Sequence, residues 1–314
     1  MATRTPLSRG IVASSVTPFG PDGALRLDRL KPHIDWLIGE GVDGLSPLGS
    51  AGEFAALEVD DRKRVLEAAL EANNGRVPVM AGTHHYSTRL SVELSRHAQA
   101  AGADALLVVP PYYSSPLVSH AMDHYRRIAE AVDIPVVLYH NAKNTNVDFR
   151  CQHIVTLFQE GVLAGVKMSN PDPDRICELL HATDGRLTVY AGIDTVAFEG
   201  LCHGAHGWIS GIPSIVPRTA SRLYRTIAVD GDLTSAREQW RRLRPLMRLL
   251  FASYLEDGSR AHWAGVMKAT LNMIGPAVGD PQPPLQPLDP ASTRELTAIL
   301  RDLGYSVRDP AGAH

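Results

Sequence analysis

Short apolar, β-branched runs alternate with stretches of helical spacing through the first two thirds of this 314-residue chain, and few folds accommodate that alternation. The runs read GIVASSV from Gly10, GLSPL from Gly44, VPVMAG from Val77, ALLVVP from Ala105, IPVVLY from Ile134, LAGVK from Leu163, LTVYAG from Leu187 and GWISG from Gly207. Each is apolar on both faces, as a parallel strand covered by helices must be. Between them apolar residues recur at spacing three or four, as in Val59, Val65, Leu66 and Leu70 or in Leu90, Leu94 and Ala98, which predicts amphipathic helices. Eight such units in about 220 residues predict an α/β fold of the (β/α)8 TIM-barrel kind, although a doubly wound open sheet leaves a similar pattern.

After Ile227 the strand signals stop. DLTSAREQWRRLRPLMRLLFASYLE and AHWAGVMKATLNMIG read as helices, GPAVGDPQPPLQPLDP is too rich in proline for regular structure, and STRELTAILRDLG opens on a cap and forms a last helix. The expected organisation is a barrel over 1–228 followed by a C-terminal helical extension over 229–314.

Composition narrows the partners. The 31 basic and 34 acidic residues are spread along the chain for a net charge of -3, so no basic stripe suits nucleic acid and no polybasic patch suits a membrane surface. No stretch approaches the roughly 18 apolar residues of a membrane span, and the opening MATRTPLSRG lacks the apolar core of a secretion signal. A soluble, cytoplasmic protein is expected. Cys151, Cys177 and Cys202 are odd in number and widely spaced, which points to reduced thiols in or near the core and to neither a disulfide framework nor a zinc site.

The reacting groups of such a barrel sit at the C-terminal ends of its strands. There the sixth run closes on Lys167, in a chain with only five lysines, at 31, 63, 143, 167 and 268. Burial disfavours a charged amine and lowers its pKa by as much as about 3–5 units when complete, which would leave a neutral nucleophile for a carbonyl. Arginine cannot serve, because guanidinium stays protonated. A lysine paired to a carboxylate across the barrel, or reaching out to solvent, fits the position equally well.

Neighbouring segments bear on that choice. Tyr139 closes the fifth run, one strand from Lys167, where a phenol can move protons. Tyr112 and Tyr113 follow the fourth run, and GSAGE at 49–53 follows the second. Its two glycines, hydroxyl and consecutive N–H groups suit a small carboxylate; it is no phosphate loop, because Ser50 stands where that motif needs lysine. His84, His85 and His140 lie near the same rim without an accompanying His-Glu-x-x-His or carboxylate cluster, so they read as polar rim or supporting residues and no metal is assigned.

With these residues in place the chain resembles the pyruvate-dependent class I aldolase family that includes dihydrodipicolinate synthase, N-acetylneuraminate lyase and 2-keto-3-deoxy sugar-acid aldolases and dehydratases. The likeness runs from about Gly10 to the last helix through VTPF, PLGSAGEF, PPYY, LYHNAKNT, GVK, YAGID and GWISG, in family order and spacing. It implies a cofactor-free lyase, usually a homotetramer, in which lysine forms a Schiff base with pyruvate or another 2-keto acid. Lys167 matches the Schiff-base lysine and Tyr139 the proton-transferring tyrosine. Ser50 matches the hydroxyl linking that tyrosine to Tyr113, which in the family reaches over from a neighbouring subunit. Gly49, Ala51 and Gly52 match the carboxylate-binding loop, and Asn144, Gly192, Asp194 and Ile209 fall where the family surrounds the rest of the substrate.

Departures from the pattern bear on the substrate. Ala51 replaces a second hydroxyl common in the family, His140 replaces asparagine, Ala142 replaces proline, and Asn144 stands where the lysine-pathway synthase carries an arginine. Losing a charge-assisted contact to a carboxylate costs roughly 1.5–3 kcal/mol. PLGSAGEF is most similar to the sugar-acid members, so the expectation is a lyase for pyruvate or a hydroxylated 2-keto acid, of the 2-keto-3-deoxy sugar-acid aldolase or dehydratase type. The alternatives are a dihydrodipicolinate synthase or a cyclic imino-acid deaminase and, from another class, a non-catalytic keto-acid-binding relative.

Overall fold

A computed structural model describes residues 7–252 and 261–308. All eight strands form on the expected runs, β5 and β6 each extending one residue past theirs: β1 (Gly10–Ala13), β2 (Gly44–Leu45), β3 (Met80–Gly82), β4 (Ala105–Val108), β5 (Val136–His140), β6 (Gly165–Met168), β7 (Thr188–Ala191) and β8 (Gly207–Trp208). Two of them are shorter than expected for a local reason. Pro47 and Pro78 have no N–H to give a ladder, so β2 ends before the first and β3 begins after the second.

Every ladder is parallel: β3 to β8 pair in sequence, β8 pairs with β1, and β1 with β2. A parallel bridge between Leu45 and Val79, with Leu45 N–H donating to Pro78 O at 3.0 Å, brings β2 to β3. The order rules out the open doubly wound sheet, and the fold is a (β/α)8 TIM barrel.

Helices α1 (Leu30–Gly39), α2 (Val59–Asn73), α3 (Thr88–Ala101), α4 (Val118–Ala129), α5 (Ala142–Thr145), α6 (Cys151–Gln159), α7 (Asp174–Ala182), α8 (Ala197–Cys202), α9 (Gly211–Ile215) and α10 (Pro217–Ala228) connect and cover the strands. Two apolar layers result. One lies between the strands and their helices and takes Val166, Met168, Leu138 and Val136 from β5 and β6; the other fills the barrel and takes Val137, Tyr139, Tyr190 and Ile209. Strand alternation therefore turns Lys167, between Val166 and Met168, inward with Tyr139.

Among the described residues three C-terminal helices follow: α11 (Leu233–Leu250), α12 (Trp263–Ile274) and α13 (Pro290–Asp302). The expected first helix ran to 256, and its last four residues lie outside the described residues, as do the first six of the opening MATRTPLSRG. The last helix starts two residues before STREL, because Asp289 caps it by accepting from the N–H groups of Ala291 and Ser292, with Pro290 opening the first turn. Among the described residues no helix is long and apolar enough to cross a membrane. Cys151 is buried and Cys177 half-buried, but Cys202 is exposed, because α8 ends on it at the surface.

Candidate active site

The β5–β6 register sets Tyr139 opposite Lys167, and the β6–β7 register sets Lys167 opposite Tyr190. Lys167 keeps 4% of its surface exposed, and its Nζ lies 3.8 Å from the centroid of the Tyr139 ring. Among the described residues no carboxylate comes within ion-pair distance of that Nζ, so the cross-barrel ion pair that the sequence left open does not form. The Tyr139 hydroxyl lies 3.4 Å from Ser50 Oγ and accepts from Asn141 Nδ2 at 3.3 Å. Burial pushes this phenol up, yet the Lys167 charge and the bonds from Ser50, Asn141 and Lys167 outweigh it and hold the phenol below its ordinary value.

Ser50 and Gly52 bound one tight turn, in which Gly52 N–H donates to Gly49 O and Glu53 N–H to Ser50 O, both at 3.0 Å. Ser50 and Ala51 line the cavity, while Gly49 and Gly52 shape the turn behind them. A Cβ on Gly52 would sit 3.3 Å from Ser15 O. Glu53 adopts φ 53 and turns away from the cavity into an ion pair with Lys268 of α12 at 2.8 Å. Lys268 also donates to Thr17 O and Asp280 O, each at 2.9 Å, and Gln282 N–H donates to Glu53 Oε2 at 2.7 Å. Burial lowers the Lys268 amine and Glu53 opposes that shift. The loop facing Lys167 is thereby tied to the C-terminal helices.

The cavity above Lys167 has a volume of about 330 Å³, within the usual range for small-molecule sites. Asn144 and Gly192 line it as the family pattern implies. A Cβ on Gly192 would lie 2.5 Å from Ser169 Oγ and 2.8 Å from Met168 O, so only glycine fits there. Besides Gly49 and Gly52, three expected residues do not reach the cavity. Asp194 is fully buried behind its wall, accepting from Trp208 Nε1 at 3.0 Å and from the N–H groups of Gly211 and Ile212 at 3.1 and 3.3 Å. Burial raises this carboxyl to about 6 against those bonds and one from Ser210. Its neighbours Ile193 and Thr195 face the cavity instead. Ile209 packs inside the barrel with Tyr139 and Tyr190, and Tyr113, at φ 74, stands 94% exposed outside the cavity.

Residues that the sequence did not single out complete the walls. Asn141 reaches the phenol, Ser169 and Ser210 line the barrel side, and Leu250, Phe251, Trp263 and Met267 close the far side from the C-terminal helices. Lys268 was the available signal, a rare lysine set in the apolar helix WAGVMKATLNMI. The histidines serve the surroundings. His84 accepts from Val109 N–H at 3.0 Å beneath Tyr139, and His140, at the end of β5, meets Asp148 at 3.0 Å. Arg175 holds the same carboxylate at 2.6 Å, which cinches the loop bearing Asn141 and Asn144. Among the described residues no three His, Cys, Asp or Glu side chains are grouped to hold a metal ion.

A barrel with a carboxylate-free lysine and a tyrosine inside its mouth has the architecture of a lysine-dependent class I lyase. The model of the dihydrodipicolinate synthetase family matches residues 7–303, and the chain belongs to that family. It is 34% identical over 296 residues to the 4-hydroxy-tetrahydrodipicolinate synthase of Pelobacter propionicus, covering 94% of this chain and 99% of that one. It is 32% identical over 297 residues to the synthase of the same name from Methanocaldococcus jannaschii, covering 94% and 99%. Among solved structures, dihydrodipicolinate synthase from Aquifex aeolicus superposes with a TM-score of 0.87 at 29% identity, covering 96% of this chain and all of that one. A prophage protein of the dihydrodipicolinic acid synthase family from E. coli K12, in complex with pyruvate, gives 0.86 at 29% identity over 95% and 99%. Members of this family are class I lyases that form a lysine Schiff base with pyruvate, and this chain is such an enzyme.

Proposed function

We propose that Lys167 is the Schiff-base lysine and that the enzyme makes or breaks the bond between carbon 3 of pyruvate and an aldehyde carbon. The observation that carries this reading is a nearly buried amine beside a phenol, with no carboxylate at ion-pair distance among the described residues. Lys167 adds to the keto carbon and water leaves; the iminium draws electrons from carbon 3, whose proton passes to Tyr139, and the enamine then attacks the aldehyde. Ser50 and Asn141 orient the phenol, and the turn carrying Ser50 and Ala51 receives the pyruvate carboxylate. Tyr113, exposed at the rim, belongs to a second copy's site in this reading, within a homotetramer. Pyruvate with borohydride tests the core of the proposal: a stable mass increase that disappears in Lys167→Ala supports it, and an increase that survives the substitution refutes it.

For the second reactant, the relatives' names support 4-hydroxy-tetrahydrodipicolinate synthesis, from pyruvate and aspartate semialdehyde, better than the sugar-acid reading that the loop motif favoured. Asn144 in place of arginine keeps the sugar-acid reading in play, although Lys143 beside it brings a cation to the same wall. Turnover with aspartate semialdehyde against a 2-keto-3-deoxy sugar acid separates the two.

A further inference from the structure

Resting on the assignments of Lys167 and Tyr139, we infer that His140 and Asp148 are positioning residues for the proton transfer at carbon 3 of pyruvate, acting through Asn141 and touching no substrate themselves. The segment after β5 carries this inference. From its first position Asn141 Nδ2 donates to the Tyr139 hydroxyl at 3.3 Å. The Asn141 carbonyl accepts from the N–H groups of Asn144 and Thr145, each at 3.1 Å, and from Thr145 Oγ1 at 3.0 Å, so residues 141–145 turn as one unit. The amide keeps its aim at the phenol only while that unit is held against the barrel.

Ala142 lacks the ring with which proline fixes φ, and Lys143, Asn144 and Asn146 are exposed. The hold comes from the two ends of 141–149. At the near end His140 is fully buried on the face of β5 opposite Tyr139, and its carbonyl accepts from Ser169 N–H, just past β6, at 2.9 Å. At the far end the same residue's Nε2 lies 3.0 Å from Asp148 Oδ1 and 3.2 Å from Phe149 N. Among the described residues His140 Nδ1 has no hydrogen-bond partner, so the ring's polar contacts all go to this closure. Arg175 of α7 then donates to both oxygens of Asp148, at 2.6 and 3.1 Å. Such a forked pair fixes orientation as well as distance. One buried ring closes the loop, and the guanidinium ties the closure to the helix that follows the strand of Lys167.

The affected step is readable with pyruvate alone in heavy water. A carbon 3 hydrogen passes to Tyr139 as the enamine forms, the proton on the phenol gives way to solvent deuterium, and deuterium returns to carbon 3. Hydrolysis of the iminium then frees Lys167 and deuterated pyruvate.

The experiment follows this exchange by NMR for the full-length enzyme, as kcat and KM for pyruvate, in a cycle of Asp148→Ala and Asn141→Ala with His140→Ala and His140→Gln beside it. Asp148→Ala is expected to lower the exchange kcat about tenfold in the parent and less than about twofold in Asn141→Ala. KM for pyruvate is expected to stay within about twofold of the parent value throughout. His140→Ala should match Asp148→Ala, and His140→Gln should recover most of the rate, because its amide offers a donor to Asp148 and an acceptor to Phe149 N–H. An Asp148→Ala loss that is absent, or equal in both backgrounds, or carried by KM overturns the inference and leaves the Schiff-base reading standing. So does a Gln variant as slow as the Ala variant, or a parent enzyme that traps pyruvate with borohydride but exchanges no deuterium. A parent enzyme that gives no pyruvate adduct overturns both. Asp148 is 51% exposed, so its substitution disturbs no core packing; should His140→Ala fail to fold, the cycle of Asp148 and Asn141 decides alone.

Discussion

Lys167 Nζ sits 3.8 Å from the centre of the Tyr139 ring because β5 and β6 pair those two residues directly. An amine and a phenol held in register by a strand ladder keep their geometry as ligands come and go. Tyr139→Phe is therefore expected to lower kcat by about 10²–10⁴-fold while leaving borohydride-trappable imine in place. Single-turnover trapping beside steady-state rates checks this, and a Phe variant with full kcat would remove the phenol from the chemistry.

The charge on Lys167 also lowers the Tyr139 phenol against the upward push of burial. In Lys167→Met the push of burial is less opposed, so the phenol is expected to ionise at higher pH than in the parent protein. Tyrosinate absorbance followed against pH, with Tyr139→Phe subtracted, reads it out. A midpoint that stays put or falls contradicts the electrostatic account.

Glu53 and Lys268 are both nearly excluded from water, and each would be left as an unpaired buried ion if the other were removed. Lys268→Met or Glu53→Gln is expected to cost stability, about 3–5 kcal/mol for the change that strands a charge. Replacing both with apolar residues is expected to cost clearly less. Denaturant unfolding of the two single variants and the double variant supplies the comparison, and additive losses would mean that the pair does not act as one.

Asp194 has its carboxyl raised from 3.8 to about 6 by burial. The folded protein thus holds this proton more tightly than the unfolded chain does, so the group's stabilisation is complete below about pH 4 and is lost as pH rises through about 6. The size is on the order of 3 kcal/mol. Asp194→Asn keeps an oxygen for Trp208 and abolishes the titration. The difference in unfolding free energy between parent and variant is expected to change between pH 4 and 6 and to be flat above; a flat difference throughout would show that the surrounding N–H donors offset burial.

Much of the barrel was legible because strands buried on both faces write continuous apolar runs, and GIVASSV through GWISG mark all eight. Lys167 and Tyr139 were legible as the last residues of their runs, and the strands end one residue beyond each. Strand ends at Pro47 and Pro78 were less visible, since a run's composition does not say where its last ladder bond falls. Asp194 was misread as a cavity residue because YAGID gives its position just past β7 but not the four groups, from Ser210 to Ile212 and Trp208, that draw the carboxylate inward. The wall of Leu250, Phe251, Trp263 and Met267 depends on how helices remote in sequence dock, which local periodicity does not encode. The sugar-acid preference rested on one loop, and relatives matched over nearly the whole chain bear the synthase name instead.

The groups placed at the bond-making centre come from the barrel strands and their loops, whereas Trp263 and Met267 come from a helix almost a hundred residues beyond Lys167. The reacting groups and part of the wall around them thus come from distant stretches of one chain, joined by the Glu53–Lys268 pair. A foreign tail grafted onto this barrel must therefore supply a cation for Glu53 as well as a wall for the cavity.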